Sequence, residues 1–186
     1  MKHILNTLTR SAAIVAVGLV PTFAFSAGSE DSTSPPKTTK TTKKCWFGKV
    51  WDKETQKCVK PDESGYSQEG LINAVRELAY AGRYEDAQTV LAAMADQQDD
   101  RVLTYWGFTH RKLGDVTLGM AFYNQAIAQN PDNILARSYM GQAHVLAGEV
   151  ELASLQLTEI QQRGGTGTWA EQSLSKAITT GETFSY

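Results

Sequence analysis

Apolar residues recur at helical spacing along most of the chain, in runs that end at Gly or Pro. In residues 100–133 one such run precedes Gly114 and a second follows Asp115. Apolar positions three and four residues apart indicate an amphipathic helix. Gly114 accepts a positive φ just past a helix end, and Asp115 can accept a hydrogen bond from the start of the next helix. The segment therefore predicts two helices joined by a tight turn.

Part of this segment returns further along the chain. Six residues recur 34 positions later: Tyr105, Gly107, His110, Gly114, Val116 and Leu118 return as Tyr139, Gly141, His144, Gly148, Val150 and Leu152. Self-similarity at that period is typical of stacked helical hairpins, each of which buries its apolar face only against its neighbours. Gly82 aligns with Gly114 and indicates an earlier, degenerate unit. The sequence thus predicts three repeats, over 68–99, 100–133 and 134–167.

The three units resemble the tetratricopeptide repeat. The middle unit matches at Leu103, Trp106, Gly107, Gly119, Tyr123, Ala126 and Pro131, with His110 in place of Tyr. The third unit matches at Met140, Gly141, Ala153, Leu157 and Ile160, with Gly165 in place of Pro, and the first at Leu71, Ala74, Val75, Leu78, Ala87, Leu91 and Met94. The resemblance implies an all-α, right-handed superhelix of three hairpins. By analogy, a last helix over 168–180 would cap its open end.

The amino terminus has the layout of a secretory signal peptide. Lys2 and Arg10 precede an apolar run over 12–20, and small residues near Ser26 fit a cleavage site. We expect residues 1–26 to be removed, which would leave a soluble periplasmic or secreted protein, because no later segment approaches 18 apolar residues. An uncleaved amino-terminal anchor is the alternative.

The charge is unevenly distributed between a basic stretch and an acidic array. Eight Lys lie between Lys37 and Lys60, whereas residues 62–186 carry 16 acidic and 8 basic residues. An acidic array argues against nucleic-acid binding, which needs clustered cations on a folded surface. Residues 27–44 hold no large apolar residue after Ala27, so we expect a disordered linker there. Contact of its lysines with an anionic lipid or polymer surface is an alternative to a solvated linker.

The two cysteines, Cys45 and Cys58, lie together in the segment 45–60. In an oxidising compartment a pair that closes so short a loop is expected to form a disulfide. A metal site is the alternative, but the segment contains no His to add ligands. The alternation around Val50 and Cys58 predicts a miniature hairpin inside this disulfide loop.

The loop resembles the last cysteine loop of peritrophin-type chitin-binding modules, through Cys45, Gly48, Trp51, Asp52 and Cys58. The full module has six cysteines, of which only this pair is present. The resemblance raises glycan binding through stacking on the aromatic residues of the loop. The competing interpretation is that these rings form the small core of the disulfide loop. Those rings are Trp46, Phe47 and Trp51.

Candidate chemistry is sparse, and we expect no enzymatic activity, no cofactor and no metal. His110 and His144 occupy equivalent positions, but no carboxylate or thiol recurs beside them to complete a metal site, so we expect packed histidines. The sequence has no nucleophile elbow, zinc helix or phosphate loop. Gly165 and Gly167 imitate a dinucleotide fingerprint without the strand that should precede it.

A peptide-binding surface is implied by the resemblance, because the first helices of successive tetratricopeptide units line a concave groove. The matching positions are Ile72, Arg76, Arg101, Thr104, Phe108, Arg111, Lys112, Ser138, Gln142 and Val145. The middle unit would place cations around a phenyl ring, which suits a segment with an acidic group and an apolar anchor. We therefore expect an exported, non-catalytic adaptor that binds protein or peptide segments. A cell-envelope glycan-binding protein that uses the disulfide loop is the alternative, and end-to-end self-association is a third expectation.

Overall fold

The structure is a computed structural model, and it describes residues 35–184. The predicted signal peptide over 1–26 and the linker residues 27–34 lie outside the described residues. The described chain is mostly helical, as predicted. Its elements are α1 (Lys40–Lys44), β1 (Val50–Asp52), β2 (Lys57–Val59), a 3-10 turn (Pro61–Glu63), α2 (Gln68–Tyr80), α3 (Tyr84–Ala92), α4 (Asp100–Lys112), α5 (Val116–Gln129), α6 (Ile134–Leu146), α7 (Val150–Gln162) and α8 (Trp169–Thr180). None of the helices in this part of the chain is both long and apolar enough to cross a bilayer.

The long helices pack as consecutive pairs, α2 with α3, α4 with α5 and α6 with α7. Neighbouring pairs also touch, through α3 with α4 and α5 with α6, and α8 packs against α6 and α7. A continuous core runs from Val50 to Met140, and a second cluster joins Val145 and Ile160 to Leu174 of α8. The described chain is therefore a repeat-like stack of helical hairpins.

The turns within the pairs follow the chemistry that the sequence predicts. Gly82, Gly114 and Gly148 have φ values of +74°, +97° and +77°. After Gly114, the N–H of Asp115 bonds the carbonyl of His110 at 2.9 Å, which closes the end of α4. The Asp115 carboxylate then accepts the N–H of Leu118 at 3.1 Å and caps α5.

Two glycines inside the middle pair allow its helices to approach closely. A Cβ at Gly107 would lie 2.6 Å from the ring of Tyr123, and a Cβ at Gly119 would lie 2.8 Å from the carbonyl of Gly107. Neither distance is compatible with van der Waals contact. This contact explains why α4 and α5 contain residues that lower helix propensity.

The segment before the helix pairs is held by the predicted disulfide, with an S–S distance of 2.08 Å between Cys45 and Cys58. The predicted hairpin is present as well, because β1 pairs antiparallel with β2 and Val50 lies opposite Val59. Val50 is fully buried in the main core. The disulfide loop therefore packs on the first helix pair and covers that end of the stack.

The prediction of a disordered linker up to residue 44 is wrong for Thr39 to Lys44. These residues include α1, and the side chain of Thr39 caps it by accepting the N–H of Thr41 at 3.1 Å. The buried carboxylate of Glu77 accepts hydrogen bonds from the N–H and hydroxyl of Thr39, at 2.6 and 2.7 Å, and from the N–H of Thr42 at 3.2 Å. A distant carboxylate thus orders a segment that has no apolar residues of its own.

Candidate functional site

The ten predicted groove residues separate into a buried majority and two partly exposed members. Arg101 and Lys112 keep part of their surface in solvent. The other eight are buried: Ile72, Arg76, Thr104, Phe108, Arg111, Ser138, Gln142 and Val145. The ten predicted groove residues therefore do not form a continuous open surface in this structure. Position within a repeat identifies the first helix of each pair but not what covers its side chains.

Several of these buried residues are used in contacts within the chain. Ser138 shares a hydrogen bond with Ser173 at 3.1 Å, and the side-chain oxygen of Gln142 accepts the N–H of Phe184 at 2.7 Å. Ile72 belongs to the main core and Val145 to the cluster with α8. The hydroxyl of Thr104 donates to a backbone carbonyl within α4 at 2.6 Å, and the Nη1 of Arg76 donates to its helix neighbour Asn73 at 3.3 Å. Contacts within the chain account for the burial of these six residues without a partner molecule.

The structure brings three predicted residues together at the carboxyl end of α4, and we call Phe108, Arg111 and Lys112 the α4 cluster. The Arg111 guanidinium lies 5.7 Å from the centre of the Phe108 ring, and the Lys112 ammonium lies 5.6 Å from it. Both distances are within the range of cation–π attraction. The prediction of cations around a phenyl ring is confirmed at this position.

The Phe108 ring is fixed by aromatic neighbours from three helix pairs. Its centre lies 5.9 Å from the ring of Tyr84, 6.4 Å from that of Tyr105 and 4.6 Å from that of Tyr139. Tyr139 in turn contacts Trp169 at 6.0 Å, at the start of α8. The apolar part of the α4 cluster is therefore closely packed, because every hairpin contributes a ring to it.

The two cations of the α4 cluster have no counter-ion within the described residues. No carboxylate of residues 35–184 lies within ion-pairing distance of Arg111 or Lys112. The Nε of Arg111 donates to the hydroxyl of Tyr123 at 3.3 Å, and its buried Nη2 has no hydrogen-bond partner in the described part of the chain. Two adjacent cations, of which Arg111 is buried and Lys112 half-buried, thus have no matching negative charge in the described chain.

This environment alters the ionisation of the neighbouring groups. Burial lowers the pKa of Lys112, and the charge of Arg111 lowers it further. Burial also raises the pKa of Tyr123, partly offset by the charge and the hydrogen bond of Arg111. Both shifts have the direction expected where burial disfavours the charged form of a group, which is the ammonium of Lys112 and the phenolate of Tyr123. An anionic group at the cluster would reverse the effect on Lys112, because it would favour the charged ammonium.

The aromatic residues of the disulfide loop are more exposed than the side chains of a small core would be. Phe47 is 88% exposed and Trp46 is 61% exposed, whereas Trp51 is half-buried. The Arg83 guanidinium lies 4.6 Å from the Trp46 ring, and Lys40 lies 4.8 Å from the Trp51 ring. Phe47 also has a φ of +58°, which is uncommon for a residue with a side chain. The interpretation of these rings as a core is therefore wrong for Trp46 and Phe47.

Neither the two histidines nor other metal-binding side chains form a metal site within the described residues. The ring of His110 stacks with that of Trp106 at 5.7 Å and that of Phe122 at 5.6 Å. The Nδ1 of His144 is hydrogen-bonded to the carboxylate of Glu149 at 2.7 Å. Within the described chain no group of three or more His, Cys, Asp or Glu is arranged to hold a metal ion.

Apolar side chains at the turns between helices are the feature that sequence reasoning missed. Val116 is one of the apolar residues at helical spacing that follow Asp115, but it is 47% exposed, and its repeat equivalent Val150 is exposed as well. Their recurrence one repeat apart was the signal in the sequence that could have drawn attention to them. Recurrence marks a position, but it does not tell whether the side chain is buried.

Comparison with protein-family models, with curated proteins and with solved structures finds no match to this chain.

Proposed function

We propose that this chain is an exported, non-catalytic adaptor that binds protein segments carrying an acidic group beside an apolar anchor. The α4 cluster is the proposed binding site. One observation carries the proposal: Arg111 and Lys112 flank the Phe108 ring and have no counter-ion among the described residues. A carboxylate there would gain charge-assisted hydrogen bonds in a poorly solvated site, where such bonds are strongest.

The net negative charge of the surrounding chain favours binding of an acidic segment at one place only. Residues 62–186 carry twice as many acidic as basic residues, so an acidic segment is repelled by most of the array. At the α4 cluster the local charge is positive instead. An acidic group would therefore bind where two cations adjoin, and the adjacent aromatic ring would accept an apolar side chain.

The architecture proposed for this adaptor is a right-handed tetratricopeptide-type superhelix, with α8 as its terminal cap. Consecutive helix pairs with positive-φ glycines at their turns support it. Export is supported by the Cys45–Cys58 disulfide, which is compatible with a periplasmic or extracellular location. Binding must also involve local movement, since Phe108 and Arg111 are buried and Lys112 is the member that reaches solvent.

The experiment compares two synthetic peptides, one with Glu residues beside a Phe and one with Gln at the same positions. We expect the full chain to bind the Glu peptide at least about 10-fold more tightly in a fluorescence anisotropy titration, a ratio equivalent to about 1.4 kcal/mol. Arg111→Gln should remove this preference. Arg101→Gln is the matched control and should retain it, because Arg101 is already paired with carboxylates. Equal binding of the two peptides, or a preference that survives Arg111→Gln, contradicts the proposal.

A second candidate function is glycan binding at the disulfide loop, and the exposure of Trp46 and Phe47 favours it. One face of the Trp46 ring is engaged by Arg83, which would hold the ring in place for a sugar on the other face. Calorimetric titration of the full chain with a soluble oligosaccharide of N-acetylglucosamine tests this function. Saturable heat that disappears in Trp46→Ala with Phe47→Ala supports it, and no saturable heat with the unaltered chain rules it out for that glycan.

A further inference from the structure

Six exposed apolar side chains lie at the two turns that join α4 to α5 and α6 to α7. We call these six residues the turn edge: Leu113, Val116, Leu118, Leu146, Val150 and Leu152. They range from 39% exposed at Leu118 to 61% at Leu146. Scattered exposed apolar residues are ordinary, but a group of large ones at corresponding places of adjacent hairpins is the pattern expected of an interaction surface.

Two pairs within the turn edge repeat at the period of the chain. Val116 and Val150 begin α5 and α7, and Leu118 and Leu152 follow at the same place in each helix. Because α4 with α5 and α6 with α7 are hairpins, and the second hairpin stacks on the first through α5 and α6, both turns fall at the same end of the helices. We call these four equivalent residues, two from each hairpin, the apolar row.

The fully exposed charged residues beside this row have one sign. Asp115, Glu149 and Glu151 are exposed and lie next to the apolar positions in the sequence. The cation nearest in sequence, Lys112, is half-buried and directed over the Phe108 ring, and His144 is already bonded to Glu149. The apolar row is therefore bordered by carboxylates.

We propose that the turn edge is a second docking surface, which binds a basic amphipathic helix of a partner protein. The apolar stripe of such a helix would lie on the row, and its Lys and Arg side chains would reach the bordering carboxylates. The same acidic border disfavours a second copy of this chain, because two copies would bring like charges together. This surface shares no residue with the α4 cluster, so the inference is independent of the proposed function.

Three synthetic peptides test this proposal with the full chain. The first is an amphipathic helix of Leu and Lys, the second has Glu in place of every Lys, and the third is the first with its order scrambled. Fluorescence anisotropy at about 0.15 M salt, where exposed charges are partly screened, measures each affinity. We expect the first peptide to bind at least about 10-fold more tightly than either of the others.

Two sets of substitutions locate the binding. Val116→Ser with Val150→Ser should weaken binding of the Leu/Lys peptide at least about 10-fold. Asp115→Asn with Glu151→Gln should weaken it about 3-fold and reduce its salt dependence, while Asn still supplies an oxygen to cap α5. Phe47→Ser, which removes an exposed ring far along the sequence, is the control and should have no effect. Unchanged circular dichroism would show that each variant folds.

Several outcomes would overturn the inference. Equal affinity for the amphipathic and the scrambled peptide would mean attraction by charge alone. Full binding by Val116→Ser with Val150→Ser would place the peptide elsewhere. If sedimentation of the unaltered chain shows a dimer that these two substitutions abolish, the turn edge is a contact between copies of this chain and the partner assignment is wrong.

Discussion

The two ends of α4 treat their positive charges in opposite ways. At the amino end, the Nη2 and Nε of Arg101 donate to Asp99 at 2.7 and 3.0 Å, and its Nη1 donates to Glu69 at 2.5 Å. At the carboxyl end, Arg111 and Lys112 have no carboxylate partner within the described chain. One helix therefore carries both a neutralised cation and an unneutralised pair.

The difference separates a structural use of charge from one that suits a ligand. Burial alone would raise the pKa of Asp99, but the hydrogen bonds and charge of Arg101 outweigh it, and the pKa is lowered. The negative end of the helix dipole favours cations in the last turn of α4, and this compensates part of the burial of Arg111 and Lys112. The dipole supplies only about half a charge, and no carbonyl of the helix end accepts a hydrogen bond from the Nη2 of Arg111. The positive charge that the dipole does not compensate is available to pair with an anionic group.

The largest expected effect of a substitution is on the ring that both cations share. Phe108→Ala should lower the free energy of unfolding by about 3–5 kcal/mol, because it leaves a cavity among Tyr84, Tyr105 and Tyr139. Phe108→Leu should cost about 1–2 kcal/mol, since it keeps most of the volume and loses the cation–π contacts. Urea unfolding measures both. No measurable loss for Leu would show that the ring itself has no special role.

The next effect concerns the unpaired guanidinium. Arg111→Met should raise the free energy of unfolding by about 1 kcal/mol, because it removes a buried charge at the cost of one long hydrogen bond to Tyr123. The same substitution should abolish the preference for the acidic peptide. A clear loss of stability in urea would mean that Arg111 is satisfied by the fold and is not held for a ligand.

The paired end of α4 should respond with the opposite sign. Arg101→Met should lower the free energy of unfolding by about 0.5–1 kcal/mol, because Asp99 and Glu69 lose a partner at a partly exposed site. Peptide binding should not change. Lower affinity for the acidic peptide in this variant would place part of the binding site at the wrong end of the helix.

The smallest effect is on the titration of Lys112. Its pKa is lowered in the folded chain from 10.5, so the unfolded chain binds more protons between the two values and stability rises with pH in that window. The charge of Arg111 is the second cause of the lowering. Arg111→Met should therefore raise the pKa of Lys112 and narrow the window. A side-chain NMR titration of Lys112 measures this, and an unchanged pKa would show that the two cations do not interact.

The sequence was sufficient for features that depend on local chemistry. Gly114 and Gly148 predicted the turns because a positive φ is costly for other residues. Cys45 and Cys58 predicted a disulfide because so short a loop brings their thiols together. In each case the cause lies within a few residues of the effect, or within one repeat.

Features that depend on distant residues could not be predicted in the same way. Gln142 is buried through contact with Phe184, 42 positions away, and Thr39 is ordered by Glu77, 38 positions away. Neither pairing leaves a periodic signal in the sequence. The exposure of Val116 was missed for a related reason, because helical spacing gives the orientation of a residue on its own helix and not where the neighbouring hairpin ends.

The most direct test of the account follows the side-chain N–H signals of the arginines by NMR as the acidic peptide is added to the full chain. We predict that the Nε signal of Arg111 shifts and saturates with the affinity measured by anisotropy, while that of Arg101 stays in place. A shift of Arg101 with Arg111 unchanged, or no shift of either at saturating peptide, would contradict the assignment of the α4 cluster as the binding site.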